Sequence, residues 1–198
     1  MSSMDEAGVR AHWPKFIVRT AKQIRDPRGA PVIDAISPDL RRAIREAGRL
    51  TWQNARMLTD LAEQIRQGCG ADGAVAFWRE SFLECITQPM IAPLARGALT
   101  IFGNRPDAFV RRTPLAWQLM TRGCGTLRAV ALKEENAIIL RAENLPRIFR
   151  VDGFVRMGEG GLLMEMDYFH ATGAVETRAE QLEKRGAVDF LARWQPKE

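Results

Sequence analysis

The sequence has little of what most enzymes use for chemistry. It holds two histidines (His12 and His170), one tyrosine (Tyr168), three cysteines and four serines (Ser2, Ser3, Ser37 and Ser81). No serine sits in a nucleophile-elbow pattern. No Cys-x-x-Cys, His-x-x-x-His or His-Glu-x-x-His spacing occurs, so the usual metal-site signatures are missing. Cys69, Cys85 and Cys124 are odd in number and widely spaced, which excludes a disulfide framework and suits a reducing compartment. No run of 18 apolar residues exists to span a bilayer. The N-terminus lacks a signal-peptide pattern, so a cytoplasmic protein is expected.

What is present is an ordinary globular chain. Its 198 residues, 46% hydrophobic and 27% charged, are enough for one core that needs neither metal nor disulfide. Lys plus Arg number 29 against 24 acids, giving a net charge of +5. The surplus is dispersed. Residues 10–28 carry six basic side chains against Asp26 alone, and residues 105–156 carry ten against five. A dedicated nucleic-acid arm is usually denser.

Trp13, Phe16, Ile17, Thr20, Ala21 and Ile24 recur at helical spacing, with Lys15, Arg19 and Lys22 on the opposite side. The pattern predicts a basic amphipathic helix over 11–25, whose apolar stripe faces either its own core or another chain. Asp26-Pro27-Arg28-Gly29 ends it, and 27–36 is the candidate hinge. The chain therefore divides into an N-terminal helix and connector, 1–36, and a single domain, 37–198. Ser37-Pro38-Asp39 is a helix start. The stripe Leu40, Ile44, Ala47, Thr51, Leu58, Leu61, Ile65 predicts a helix that stops at Gly68. Another helix runs from Asp72 to Pro89, a short one over 90–102 closes at Gly103-Asn104, and a third spans 107–122 with a break at Pro114. Thr126–Leu132 and Ala137–Ala142 read as strands joined by a turn at 133–136. A loop is expected at 158–161, a helix from 162 to about 170, and strands over Val175–Glu183 and Ala187–Trp194. The fold class is α+β: a helical layer on a small antiparallel sheet of about four strands, two hairpins separated by a helix.

Few residues invite a chemical role. Cys124, between two glycines, is the sharpest thiol, with a small buried apolar side chain as its plainer reading. Glu165, Asp167 and His170 cluster, but no further metal ligand is visible. Gly158-Glu159-Gly160-Gly161 is followed by Leu162-Leu163 and not by the Lys-Ser/Thr of a phosphate loop. Trp52, Phe77, Trp78, Phe82, Phe102, Phe109 and Trp117 concentrate in the helical part, as core or as the lining of an apolar pocket. Trp78, Phe82, Trp117 and Cys124 are the pocket candidates. Lys15, Arg19 and Lys22 are the candidates for an anionic partner.

Three stretches carry a family resemblance. The first is Gly97-Ala98-Leu99-Thr100-Ile101-Phe102-Gly103, followed by Phe109-Val110-Arg111-Arg112-Thr113-Pro114 and Trp117. The second is the strand pair ending at Leu145-Pro146 before a glycine-containing helix. The third is Gly173-Ala174-Val175-Glu176-Thr177 leading to the strand ending in Trp194. Over about residues 38–194 the layout resembles the TRAPP-subunit-like, vinyl-reductase-like ligand-binding fold, in an uncharacterised bacterial branch. The resemblance implies a dimer through the helices that binds a protein partner or an apolar small molecule. Haem-based gas sensors related to that fold carry a histidine ligand and a Tyr-x-Ser-x-Arg motif. Here no histidine lies between His12 and His170, and Tyr168 is followed by Phe169-His170-Ala171-Thr172. No cofactor is therefore expected. The expectation is a non-enzymatic interaction or small-ligand sensor module acting as a homodimer. The alternatives are a nucleic-acid-associated regulator using the basic N-terminal helix, and a small enzyme using Cys124 or Glu165, Asp167 and His170.

Overall fold

The computed structural model describes residues 7–48, 51–88, 92, 97, 100 and 105–196. The expected helix over 90–102 and its closure at 103–104 lie, but for isolated positions, outside the described residues.

The chain opens with a short strand, β1 (Gly8–Arg10), and helix α1 (His12–Thr20). Ile17, Thr20 and Ala21 are fully buried and Ile24 nearly so. The Thr20 hydroxyl lies 3.0 Å from that of Ser81 on the long helix described below. The apolar stripe therefore packs on the chain's own core. The helix is shorter than the spacing predicts: the Ala21 and Ile24 carbonyls accept from the Ile33 and Val32 N–H groups, after the chain turns back at Asp26, whose carboxylate accepts from the backbone N–H of Arg28 and Ala30. A 3-10 turn, Val32–Ala35, follows, with Val32 and the next residue but three, Ile36, in the core.

Helix α2 (Pro38–Glu46) starts where the sequence says it should: the Ser37 side chain accepts from the Leu40 N–H. It does not continue to Gly68. Trp52–Asn54 forms β2, which pairs antiparallel with β1, and a new helix, α3 (Arg56–Thr87), begins after it. The break in α3 falls at Gly70, whose φ of 78° is open to glycine at little cost. Helices α4 (Pro106–Val110) and α5 (Thr113–Met120) follow, with Pro114 in the first turn of α5 and not breaking a longer helix. Strand β3 (Thr121–Arg122) completes a small sheet of order β2-β1-β3, which the hydrophobic pattern did not announce.

The main sheet is antiparallel, of order β4-β5-β7-β6. The hairpin β4 (Thr126–Ala131) and β5 (Ala137–Glu143) turns at Asn136, a residue that tolerates its φ of 56°. Strands β6 (Ala171–Arg178) and β7 (Val188–Pro196) pair in turn, joined through a short helix, α7 (Leu182–Arg185). Ile138, Leu140 and Ala142 of β5 and Val188, Phe190 and Ala192 of β7 are buried, alternating as a one-faced sheet requires.

Between the hairpins runs α6 (Asp152–Tyr168), unbroken through residues 158–161, where a loop is expected. Its glycines are packing devices. A Cβ at Gly153 would lie 2.5 Å from the Ala62 carbonyl carbon, and one at Gly160 2.5 Å from Trp78 Cβ. A Cβ at Gly158 would meet the Phe190 ring at 2.5 Å. Glycine on three sides lets α6 lie close against α3, on both sides of its break, and against the sheet. The close fit offsets the propensity cost of about 1 kcal/mol that each glycine carries in a helix.

Candidate functional site

Among the described residues, aromatic side chains fill the interior beside α6 in two groups, apart from Phe109, Tyr168 and Phe169, which meet at its end. Trp117, anchoring α5, meets Phe149 edge-on at 5.8 Å and Phe154 at 6.0 Å, with Trp13 of α1 edge-on at 6.1 Å on another side. Phe149 and Phe154 themselves meet at 5.3 Å. Trp78 of α3 packs between Phe77 at 5.2 Å and Phe82 at 5.7 Å. Edge contacts of this kind contribute about 0.5–1.5 kcal/mol each beyond area burial. The structure thus brings Trp78 and Phe82 together, and places Trp117 in the other group. Among the described residues, the buried indole N–H groups of Trp78 and Trp117 have no acceptor.

Cys124 is buried beneath β1. Its thiol donates to the Arg122 carbonyl at 3.2 Å and lies 3.4 Å from that of Gly8. Burial pushes the thiol up to about 11, so it stays protonated at neutral pH and is no nucleophile there. The residues of the acidic cluster are not brought together. Asp167 pairs with the Arg79 guanidinium of α3. His170 lies past the helix end, exposed, with a φ of 53°. Among the described residues no three His, Cys, Asp or Glu side chains form a metal-holding group.

Glu165 turns the other way, into the protein. It is 4% exposed, and Oε1 accepts from the Thr113 hydroxyl at 2.8 Å while Oε2 has no partner among the described residues. Desolvation drives its carboxyl up to about 8, so it is mostly protonated at pH 7. The Thr113 hydrogen bond, at the first residue of α5, opposes this only in part. Sequence reasoning grouped Glu165 with its polar neighbours. The missed signal was its place one helical turn after Gly161 and between buried Met164 and Met166.

The anionic-partner candidates are dispersed in role. The Lys15 ammonium donates to the Arg45 carbonyl at 2.7 Å, Arg19 donates to Gln88 and lies over the Phe16 ring at 5.1 Å, and Lys22 is exposed. Recesses open on the surface of the described residues. One, of about 520 Å³, lies among Arg105, Asp107, Arg111, Lys133 and Trp194. Another, of about 270 Å³, lies among Arg56, Asp60, Glu63 and Arg147. Neither is lined by Trp78, Phe82, Trp117 or Cys124.

No family model matches the sequence, and no curated protein is detectably similar to it. Solved structures are. A variant of the Fe(II) unliganded H-NOX protein from K. algicida covers 96% of this chain and 97% of its own, with a TM-score of 0.62 at 8% identity. A variant of the T. tengcongensis H-NOX covers 96% and 100%, with a TM-score of 0.62 at 10% identity. The chain has the H-NOX fold. A third structure, from a study of heme distortion in the H-NOX family, gives 0.59 at 12% identity over 95% of both chains. This corrects the resemblance to the TRAPP-subunit-like, vinyl-reductase-like fold. Both readings start from helices followed by paired strands. The small β2-β1-β3 sheet and the unbroken helix α6 between the hairpins are not visible in that order of elements.

Proposed function

We propose that this chain is a haem-independent sensor module on the H-NOX fold. It acts by non-covalent binding of a protein partner or an apolar small molecule, as a homodimer, and not by catalysis. The observation that carries the reading is the interior itself. The H-NOX structures it resembles include Fe(II) and heme forms, but the residues here do not fit that group. The sequence has two histidines, and both are on the surface, His12 beside β1 and His170 past α6. The buried thiol is held protonated by its desolvation. The space beside α6 is taken by Trp117, Phe149 and Phe154 in mutual contact.

The four pocket candidates occupy separate interior positions, Trp78 with Phe82, Trp117 with Phe149 and Phe154, and Cys124 under β1, and the proposed ligand sites are the two that hold an indole. The two unpartnered indole N–H groups support this: a ligand with an acceptor would satisfy a donor that is otherwise buried at a cost. Support for the dimer comes from α5. Leu115 and Leu119, one turn apart, are 59% and 64% exposed on a helix held to the core chiefly by Trp117.

The test is native mass spectrometry of the purified chain, with absorption spectra recorded before and after addition of hemin. A dimer mass and no haem band that survives desalting are expected. A stoichiometric haem complex would overturn the haem-independent reading, and a monomer mass the dimer.

A further inference from the structure

The outer face of the small sheet holds two arginines on one tryptophan. Val9 is fully buried, so its neighbours Gly8 and Arg10 face away from the core. Their cross-strand partners share that face: Trp52 opposite Arg10, and Arg122 opposite Gly8. The Arg10 guanidinium carbon lies 4.2 Å from the centre of the Trp52 ring, and that of Arg122 lies 5.1 Å from it. Gly8 makes this possible. A Cβ there would come within 2.9 Å of Arg122 Nε, so only glycine lets the Arg122 side chain cross β1 toward the tryptophan.

Arg66, Arg79, Arg141, Arg156 and Arg193 meet carboxylates. Among the described residues, neither Arg10 nor Arg122 has a carboxylate within ion-pair distance. Partial burial and then the Arg10 charge hold the nearby His12 imidazole below its ordinary range. The ring quadrupole attracts both guanidinium groups, which holds them against the ring, and among the described residues no side-chain hydrogen bond takes up their N–H edges.

We infer that Arg10, Trp52 and Arg122 form a binding site for a phosphate monoester. The argument for that ligand is charge and reach. A monoester carries about −1.5 to −2 at pH 7, matching two guanidinium groups, whereas a carboxylate or a phosphodiester carries one charge. Both guanidinium carbons lie within 4.2 and 5.1 Å of one ring centre, so the two charges are presented to a ligand on one small patch. The tryptophan face is already occupied by arginine, so it is not offered to a stacking base.

The experiment is isothermal titration calorimetry of the full chain at constant ionic strength. The titrants are inorganic phosphate, the peptide Gly-Gly-phosphoserine-Gly-Gly, its unphosphorylated form, and a single-stranded oligonucleotide. Binding of phosphate and of the phosphopeptide is expected, with no binding of the unphosphorylated peptide. Arg10→Gln or Arg122→Gln weakens it tenfold or more, and Lys15→Gln leaves it unchanged. Arg10→Lys, which keeps the charge but not the fork, weakens it as well; thermal melts confirm that each variant is folded. A phosphopeptide that binds more tightly than inorganic phosphate identifies the source as a modified protein partner, and equal affinity a free phosphate. Absence of binding by both, binding unchanged in folded Arg10→Gln and Arg122→Gln, or tighter binding of the oligonucleotide overturns the site.

Discussion

Glu165 is the residue at which chemistry and packing conflict most directly. Its carboxyl is buried with one oxygen unpartnered, and its folded pKa of about 8 stands above an ordinary 4.5. Because the folded state holds this proton more tightly than the unfolded chain, the contribution is fully present below about pH 4.5. It is lost as pH rises toward 8. Glu165→Gln keeps an acceptor for Thr113 and removes the titration. Thermal melts from pH 5 to 9 are expected to show wild type losing stability relative to the variant, by about 2–4 kcal/mol at the alkaline end. Parallel curves would mean that the carboxyl is solvated or paired.

At the scale of elements, the glycines of α6 decide how tightly three layers approach. Gly160→Ala places a methyl against Trp78 Cβ and the Val75 carbonyl, at 2.5 and 2.7 Å, and neither is the end of a flexible side chain. The gain in helix propensity is about 1 kcal/mol, and the overpacking penalty is about 1–3 kcal/mol. Net destabilisation is expected in urea denaturation. Gly161→Ala is the control, since a Cβ there meets only Phe82 atoms at 3.5 and 3.6 Å. It is expected to be neutral or stabilising. The element boundaries show what local pattern can carry. The Ser37 cap and the 126–143 hairpin were legible because their signals are local: an oxygen three residues before an N–H, and β-favouring runs about a turn. The stripe through Thr51 was misread as one helix, because pairing of Trp52–Asn54 with β1, more than 40 residues away in sequence, overrides spacing.

For the whole molecule, the open question is what covers α5. If Leu115 and Leu119 form the dimer seam, Leu115→Glu with Leu119→Glu converts the dimer to a monomer of unchanged helix content. Light scattering and circular dichroism read the two properties separately. A dimer that persists in the double variant moves the seam elsewhere.

The sequence by itself determined the α+β class, the two hairpins with a helix between them, and the lack of any histidine between His12 and His170. These follow from periodicity and from residue counts, which are properties of the chain alone. It also contained Glu165 and the Arg10, Trp52 and Arg122 set, but not their meaning. Only tertiary structure decided that the glycines of α6 are contacts and not a loop, that the stripe of α1 faces its own core, and that the layout is the H-NOX fold. The physical reason is range. Hydrophobic spacing reports which face of an element avoids water, but not which distant element covers it. A buried carboxyl or an unpaired guanidinium is defined by neighbours that the chain brings in from elsewhere.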